Sequence, residues 1–530
     1  MKSWINILIS GMLIFIGINF VSCVDEDNGS TKEPEEAGQG YLSFQFSTNT
    51  VNHASRVSTD YGTAEERKVT KLYLLLYERP GSLERLVRRE EIKADNTSGV
   101  FTGDDVVNKP GITPTEHSFV SKPILLGEKV EDKREYQAVI LANPTPEILS
   151  KVVVGVNKLS DLQAVIANAK AEDFITNDGI FMTNAGGVKL IYKTDLKTDT
   201  GFAEKEPVQI AIERILAKVF VYENRSNKLT EATEGGTIES VSWALSSINK
   251  QTYLIREQDK LKGGNDYESG FTNDRSLVYA RDPNFIGNKN IIGNEQELNK
   301  NFTFVDPFGT NGFKPWNEND KKAEYYQYIL ENTISADEQN DVEIDPASCL
   351  THVILKAVIK NPDKITTGDD YYSFSYYNTQ NNLQWKAFTH AQAVEWFNGT
   401  YPADMPNLKE AMTEAQTQNG SPFNFKIINE IIPPAPAGYA SVKTTYGQIT
   451  FHKGGLNIYR IPIQHFGTDG AKADDYGYLG VVRNNTYNIV INSINGPGVG
   501  TSDEGYISTR IVVNPWFVRG WEVGLTPVEP

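Results

Sequence analysis

The strongest constraint on the fold is a series of short runs rich in β-branched and aromatic residues, each closed by turn residues. They are KLYLLLYE (71–78), YQAVILAN (136–143), VKLIY (188–192), VQIAIERILAKVFVYE (208–223), HVILKAVIK (352–360), GQITFH (447–452), GLNIYRIPIQHF (455–466), TYNIVINSI (486–494), YISTRIVV (506–513) and GWEVGL (520–525). Runs of this length and composition read as strands, and their spacing between turns fits sheets packed face to face. The aromatic bias points the same way: 25 Tyr and 24 Phe stand against 5 Met, and aromatic rings suit half-buried pleated surfaces. A chain of 530 residues has room for more than one domain. The expectation is a mainly β protein with a few helices, built as two β-sandwich domains in tandem. Their boundary is expected near 205–215, where the polar KTDLKTDTGFAEKEP precedes a long apolar run. Helices are expected over 160–174, started by Ser160, and over 390–399 and 407–420, each of these two closed by Gly. The polar stretch 265–301 reads as surface loop.

The N-terminus carries a sorting signal. MKSWINILISGMLIFIGINFVSC has a basic residue, Lys2, an apolar run from Ile5 to Phe20 and small residues before Cys23. This pattern is a secretory signal peptide over 1–22. The run is short of the ~20 apolar residues a spanning helix needs, and Asn6, Ser10 and Asn19 interrupt it. The Phe20-Val21-Ser22-Cys23 ending resembles a bacterial lipoprotein signal, with Cys23 as the lipidated residue. The acidic Val24-Asp25-Glu26-Asp27 that follows resembles the surface-export signal of Bacteroidota lipoproteins, and NGSTKEPEEAGQG reads as a tether. Next comes YLSFQFSTNTVNHASR (41–56). Leu42, Phe44 and Phe46 alternate with Ser43, Gln45 and Ser47, so a strand precedes the body, ahead of a polar connector that holds Arg56.

Several function classes find no support. A formal net charge of -17 opposes binding nucleic acid through phosphate neutralisation. Two cysteines, Cys23 and Cys349, allow no disulfide within a body that lacks Cys23 and no four-cysteine zinc site; Cys349 reads as a small buried hydrophobe. The six histidines form no HExxH or HxH pattern, and no Gly-x-Ser-x-Gly elbow occurs. GPGVGTS (496–502) lacks the Lys and helix of a phosphate loop. The acidic pairs at 103–105, 368–370 and 473–475 read as solvated loops ahead of calcium ligands or glycosidase carboxylates. The Tyr-rich 369–385 could stack on sugars but reads first as a strand. No catalytic residue, metal or other cofactor is expected.

Four stretches carry a resemblance. AIERILAKVFV (211–221), KQTYLIREQDK (250–260) after VSWALSS (241–247), VVRNNTYNIVINSINGPG (481–498) and the tail ISTRIVVNPWFVRGWEVGLTPVEP (507–530) resemble the fimbrillins of Bacteroidales, subunits of type V pili, and in particular the shaft subunit of the short fimbriae. The resemblance implies two transthyretin-like sandwiches: an N-terminal domain with an acceptor groove (57–212) and a C-terminal domain with a donor tail (213–530). It implies that 23–56 is a lipidated propeptide removed by an Arg-specific protease cutting between Arg56 and Val57, with Arg67 and Lys68 as alternatives. Leu42, Phe44 and Phe46 would then fill the groove only until that cut. Ile511, Val513, Trp516, Trp521, Val523 and Leu525 would form the donor strand of the next copy. The partners implied are other copies of the chain and accessory tip and anchor subunits, on the outer membrane and then in a surface fimbria. A surface glycan-binding lipoprotein, or a tip or anchor subunit, is the alternative reading.

Overall fold

Strands form where the short apolar runs predict them, apart from GWEVGL (520–525), which lies outside the described residues. The computed structural model describes residues 39–47, 63, 66, 68–78, 84–93, 106–107, 118–129, 135–223, 231–232, 236–256, 282–284, 295–315, 326–333, 349–362, 370–380, 382–428, 431–465, 479–498 and 507–515. The molecule is mostly β, with short helices between the strands.

The first unit is built around Lys71–Glu78, which pairs antiparallel with Leu86–Lys93 on one side and Tyr136–Ala142 on the other. The sheet continues through Met182–Asn184 and Val208–Arg214 to Phe44–Ser47, Ser118–Ser121 and Val106–Val107. Both faces of Lys71–Glu78 are covered, which explains an apolar run without alternation. Leu72, Leu74 and Leu76 share a core with Phe44, Phe46, Ile140 and Ile210. Tyr73, Leu75 and Tyr77 pack on the other side with Ile148, Leu162, Ile215 and Leu254.

The helix expected over 160–174 is shorter. It spans Leu159–Gln163; Val165–Ala167 is then a strand paired antiparallel with Gln251–Tyr253, and one 3-10 turn covers Ala171–Phe174. Val165 and Ile166 are β-branched, a neighbouring backbone offers them a ladder, and Asn168 turns the chain through a left-handed conformation (φ 56°). Tertiary pairing thus overrides helical periodicity. The stretch 265–301 also departs from a plain surface loop: Asp282 and Asn284 are buried, and Glu295–Asn301 is helical.

The second unit is a two-layer sandwich. One sheet runs Tyr326–Leu330, Leu216–Glu223, Asn485–Ile494, Ile507–Pro515; the other includes Gly236–Ser246, His352–Lys360 and Leu456–Pro462. Val219, Val221, Trp243, Leu355, Tyr459 and Ile489 meet between them. The long run 208–223 is therefore two strands, one for each unit, with Ile215 between them.

A third layer is inserted between His352–Lys360 and Leu456–Pro462. Its sheet is ordered Leu383–Phe388, Tyr371–Tyr377, Gly447–His452, Ala440–Thr444. Helices His390–Asn398 and Leu408–Thr417 share its core. Thr389 and Gln392 exchange side chain-to-backbone hydrogen bonds at the start of the first helix, the reciprocal N-terminal cap. Tyr372, Phe374, Phe388, Phe425 and Phe451 fill the core, so the Tyr-rich strand serves packing. His452 bridges Ser373 Oγ (2.8 Å) and the Leu456 carbonyl (2.9 Å); burial pushes its imidazole down to about 4.

Candidate functional site: the N-terminal strand and the junction behind it

The N-terminal segment lies within the first unit rather than on its surface. Phe44–Ser47 sits between two strands: it runs parallel to Val208–Arg214, with Phe44 opposite Val208 and Phe46 opposite Ile210, and antiparallel to Ser118–Ser121. Ahead of it, Gln39–Leu42 pairs antiparallel with Ile124–Lys129. Tyr41 exchanges both backbone hydrogen bonds with Lys197 (2.7 and 2.9 Å). At Ser43, between the two strands, the carbonyl accepts from Val208 N (2.8 Å), and the next amide, Phe44 N, donates to Ser121 Oγ (3.0 Å).

The apolar half of the alternation is realised as burial, and Ser43 from the polar half is buried with it. Leu42, Phe44 and Phe46 are 1%, 0% and 1% exposed, and the two phenyl rings stack at 6.1 Å. Burying a large apolar side chain contributes roughly 1.5–3 kcal/mol. Withdrawal of this strand would open an apolar slot floored by Leu72, Leu74, Ile140 and Ile210. It would also leave unpaired backbone groups on both flanking strands, an arrangement that accepts another strand.

Behind the slot, charged residues from both units form a buried junction. Glu66, ahead of the first body strand, places its carboxylate 2.7 Å from Lys218 Nζ, with both side chains under 5% exposed. Tyr328 donates its hydroxyl to the same carboxylate; burial, with Glu66 beside it, raises the phenol well above its ordinary value. The Glu66 carbonyl accepts from Arg214 Nε (3.0 Å), and Arg214 N and Nη1 donate to Asn484 Oδ1. Next to this, Arg483 Nε donates to Glu331 (3.2 Å), and its other nitrogens donate to the Leu254 and Tyr253 carbonyls and to Thr252 Oγ1. Arg256 pairs with Glu213 at 2.8 Å; burial raises the Glu213 carboxyl to about 7 against the pull of that guanidinium.

The residues that carry the family resemblance thus converge. Arg214 and Lys218 come from AIERILAKVFV, and Arg483 and Asn484 from RNNTYNI. Asn484 holds a left-handed conformation (φ 58°), which asparagine tolerates better than most residues. Removing one partner of a buried ion pair costs about 3–5 kcal/mol. Arg483→Met is expected to destabilise the chain by that order, because Glu331 stays buried without its guanidinium. Adding Glu331→Leu should recover most of the loss, as urea unfolding of the single and double variants will read.

Ile511 and Val513 lie on Ile507–Pro515, the edge strand of the second unit's first sheet among the described residues, opposite Ile489 and Tyr487. Cys23, Arg56, Val57, Trp516, Trp521, Val523 and Leu525 fall outside the described residues, as do the acidic pairs at 103–105 and 473–475. Asp370, from the remaining pair, accepts from Gly454 N (2.7 Å) and stands 3.6 Å from Lys453. In GPGVGTS, Gly496 O accepts from Tyr459, and Gly498 bonds Asn457 through its amide and Tyr439 through its carbonyl. A Cβ at Gly498 would stand 2.6 Å from Ile458 backbone atoms, so this glycine serves a close backbone approach. Cys349 is buried.

Neither Glu66 nor Tyr328 belongs to a stretch that the sequence singles out; Glu66 stands in the charged TAEERK. The one available signal is its T-x-x-E spacing from Thr63. The structure realises it reciprocally, Thr63 N to Glu66 Oε2 at 2.7 Å and Glu66 N to Thr63 Oγ1 at 3.3 Å.

Residues 450–521 match the family described as major fimbrial subunit protein type IV, fimbrillin, C-terminal. The match includes RNNTYNI and the first part of the tail, and the resemblance to Bacteroidales fimbrillins holds over these residues. No curated protein matches the chain. Similar solved structures include a fimbrilin (FimA) from Porphyromonas gingivalis W83, 14% identical over 91% of this chain and 99% of that one, with a TM-score of 0.38. The tip fimbrial protein Mfa3 of Porphyromonas gingivalis, truncated at its C-terminus, is 11% identical over 90% and 99%, with a TM-score of 0.36. A fimbrial assembly protein from Parabacteroides distasonis is 12% identical over 66% and 96%, with a TM-score of 0.28.

Proposed function

We propose that the chain is a structural subunit of a cell-surface fimbria, of the shaft type, that polymerises by exchange of strands between copies. In this reading it is exported as a lipoprotein through Cys23. A protease specific for arginine then cuts between Arg56 and Val57. The cut releases Leu42, Phe44 and Phe46 from an N-terminal domain (57–212), and the slot receives the C-terminal strand of another copy, from its C-terminal domain (213–530). Head-to-tail exchange of this kind does not close on itself, so it extends into a filament. Its partners are further copies of itself, together with tip and anchor subunits.

The observation that supports this reading most is the position of Phe44–Ser47. It is hydrogen-bonded on both sides inside a sheet, yet it precedes the first body strand and belongs to a segment that carries a basic residue before that strand. An inserted strand on a removable segment is what assembly by strand replacement needs. The test is limited digestion of the purified precursor with a trypsin-like protease. Ladders that resist SDS are expected after the cut; a protein that stays monomeric after losing residues 39–47 would overturn the reading.

A further inference from the structure

The connector that must be cut also contains a bond that must not be. Lys68, like Arg56, is a basic residue ahead of Lys71–Glu78, but both halves of its recognition by a protease are occupied. Lys68 Nζ donates to the Asn177 carbonyl (2.7 Å), and the Lys68 carbonyl accepts from Asn143 Nδ2 (2.8 Å). That carbonyl lies so close to Gly179 that a Cβ there would stand 2.3 Å from it. Val69, on the other side of the bond, is 2% exposed, and Thr70 N donates to Asn143 Oδ1 (2.9 Å). A trypsin-like enzyme needs the basic side chain in its pocket and the scissile carbonyl in its oxyanion hole. Neither is available until the segment lifts off.

Besides these contacts of Lys68 and Thr70 with Asn143 and Asn177, Glu66 ties the segment to the second unit. Its carboxylate is bound by Lys218, Tyr328 and the Thr63 amide, and its carbonyl by Arg214. Two of these partners, Lys218 and Tyr328, belong to the second unit's sheet. Loss of Glu66 in a cut after Lys68 would also remove the carboxylate beside Lys218 and one acceptor of Arg214, so the junction behind the slot would lose part of its buried network.

We propose that Glu66 is a processing guard. Its latch to Lys218 and Tyr328 shields the Lys68–Val69 bond and confines release of the N-terminal strand to bonds ahead of Thr63. The mature chain then keeps its junction intact. This rests on the reading that a protease removes the strand, and the test separates the two.

The full precursor, wild type and with Glu66→Gln or Glu66→Ala, is digested briefly with trypsin, and product N-termini are read by sequencing and intact mass. In the wild type, products that begin ahead of Thr63 are expected, stable to further digestion. In Glu66→Ala, species beginning at Lys68 or Val69 should form at least about tenfold faster, because cleavage follows the population of the opened segment; Glu66→Gln should fall between. If Glu66→Ala shows no cooperative unfolding transition, Tyr328→Phe decides, since it removes a single hydroxyl and should speed the same cut about two- to fivefold. An unchanged rate in the folded variants, or a wild type cut as readily after Lys68 as upstream, overturns the guard. A wild type that yields no product beginning ahead of Thr63, while Glu66→Ala still opens Lys68–Val69, would instead overturn the processing reading and leave the guard standing.

Discussion

Alanine at both Phe44 and Phe46 is expected to remove most of the stability of the first unit in the unprocessed chain. Each ring is fully buried, and a buried Phe→Ala change costs about 3–5 kcal/mol. The rings stack on each other at 6.1 Å, so the two losses will not simply add; roughly 5–8 kcal/mol is expected for the pair. A whole domain is stable by only about 5–15 kcal/mol. Urea unfolding of the double variant should show the first unit's transition displaced almost to zero denaturant, with the second unit's transition little changed. A loss below about 2 kcal/mol would mean that the strand lies on the core without completing it. The same variant should be degraded during export, since an unfilled slot exposes both apolar floor and unpaired strand edges.

Deletion of 507–530 is expected to abolish SDS-resistant ladders altogether after protease treatment, with the slot itself intact. The physical asymmetry between the two strands favours this. Phe44–Ser47 is bonded on both sides, whereas among the described residues Ile507–Pro515 is paired along one side, with Asn485–Ile494. An edge strand gives up one ladder when it leaves, and a slot between two strands offers two. A shorter deletion of 516–530 leaves the edge strand in place and separates donation by the tail from stability of the second unit. Ladders of undiminished length from the longer deletion would place the donor elsewhere in the chain.

Much of this architecture was legible because strands write their burial into a period of two or into unbroken apolar runs. Leu42, Phe44 and Phe46 declared an inward face, and KLYLLLYE declared a strand covered on both faces. The helix at His390–Asn398 declared itself through a closing Gly399. Pairing was less legible, because it joins residues far apart in sequence. Nothing local says that Phe44 lies opposite Val208, or that Val165–Ala167 leaves a helical pattern to pair with Gln251–Tyr253. Nor does a local pattern say that 371–452 forms its own helix-covered sheet between two strands of the sandwich. The junction was legible only as motif. Arg214, Lys218, Arg483 and Asn484 stood out through resemblance, while Glu66, which completes their network, lies outside those stretches. Buried ion pairs escape composition-based reading because their burial depends on partners that are distant in the chain.

The central claim is that the Phe44 strand is present in the precursor and absent from the assembled protein. The most direct measurement is the N-terminal sequence and intact mass of the subunit recovered from surface fimbriae. The account predicts a chain that begins at Val57, without residues 39–47 and without lipid. Assembled subunits that begin at a lipidated Cys23 and still carry Leu42, Phe44 and Phe46 would contradict it.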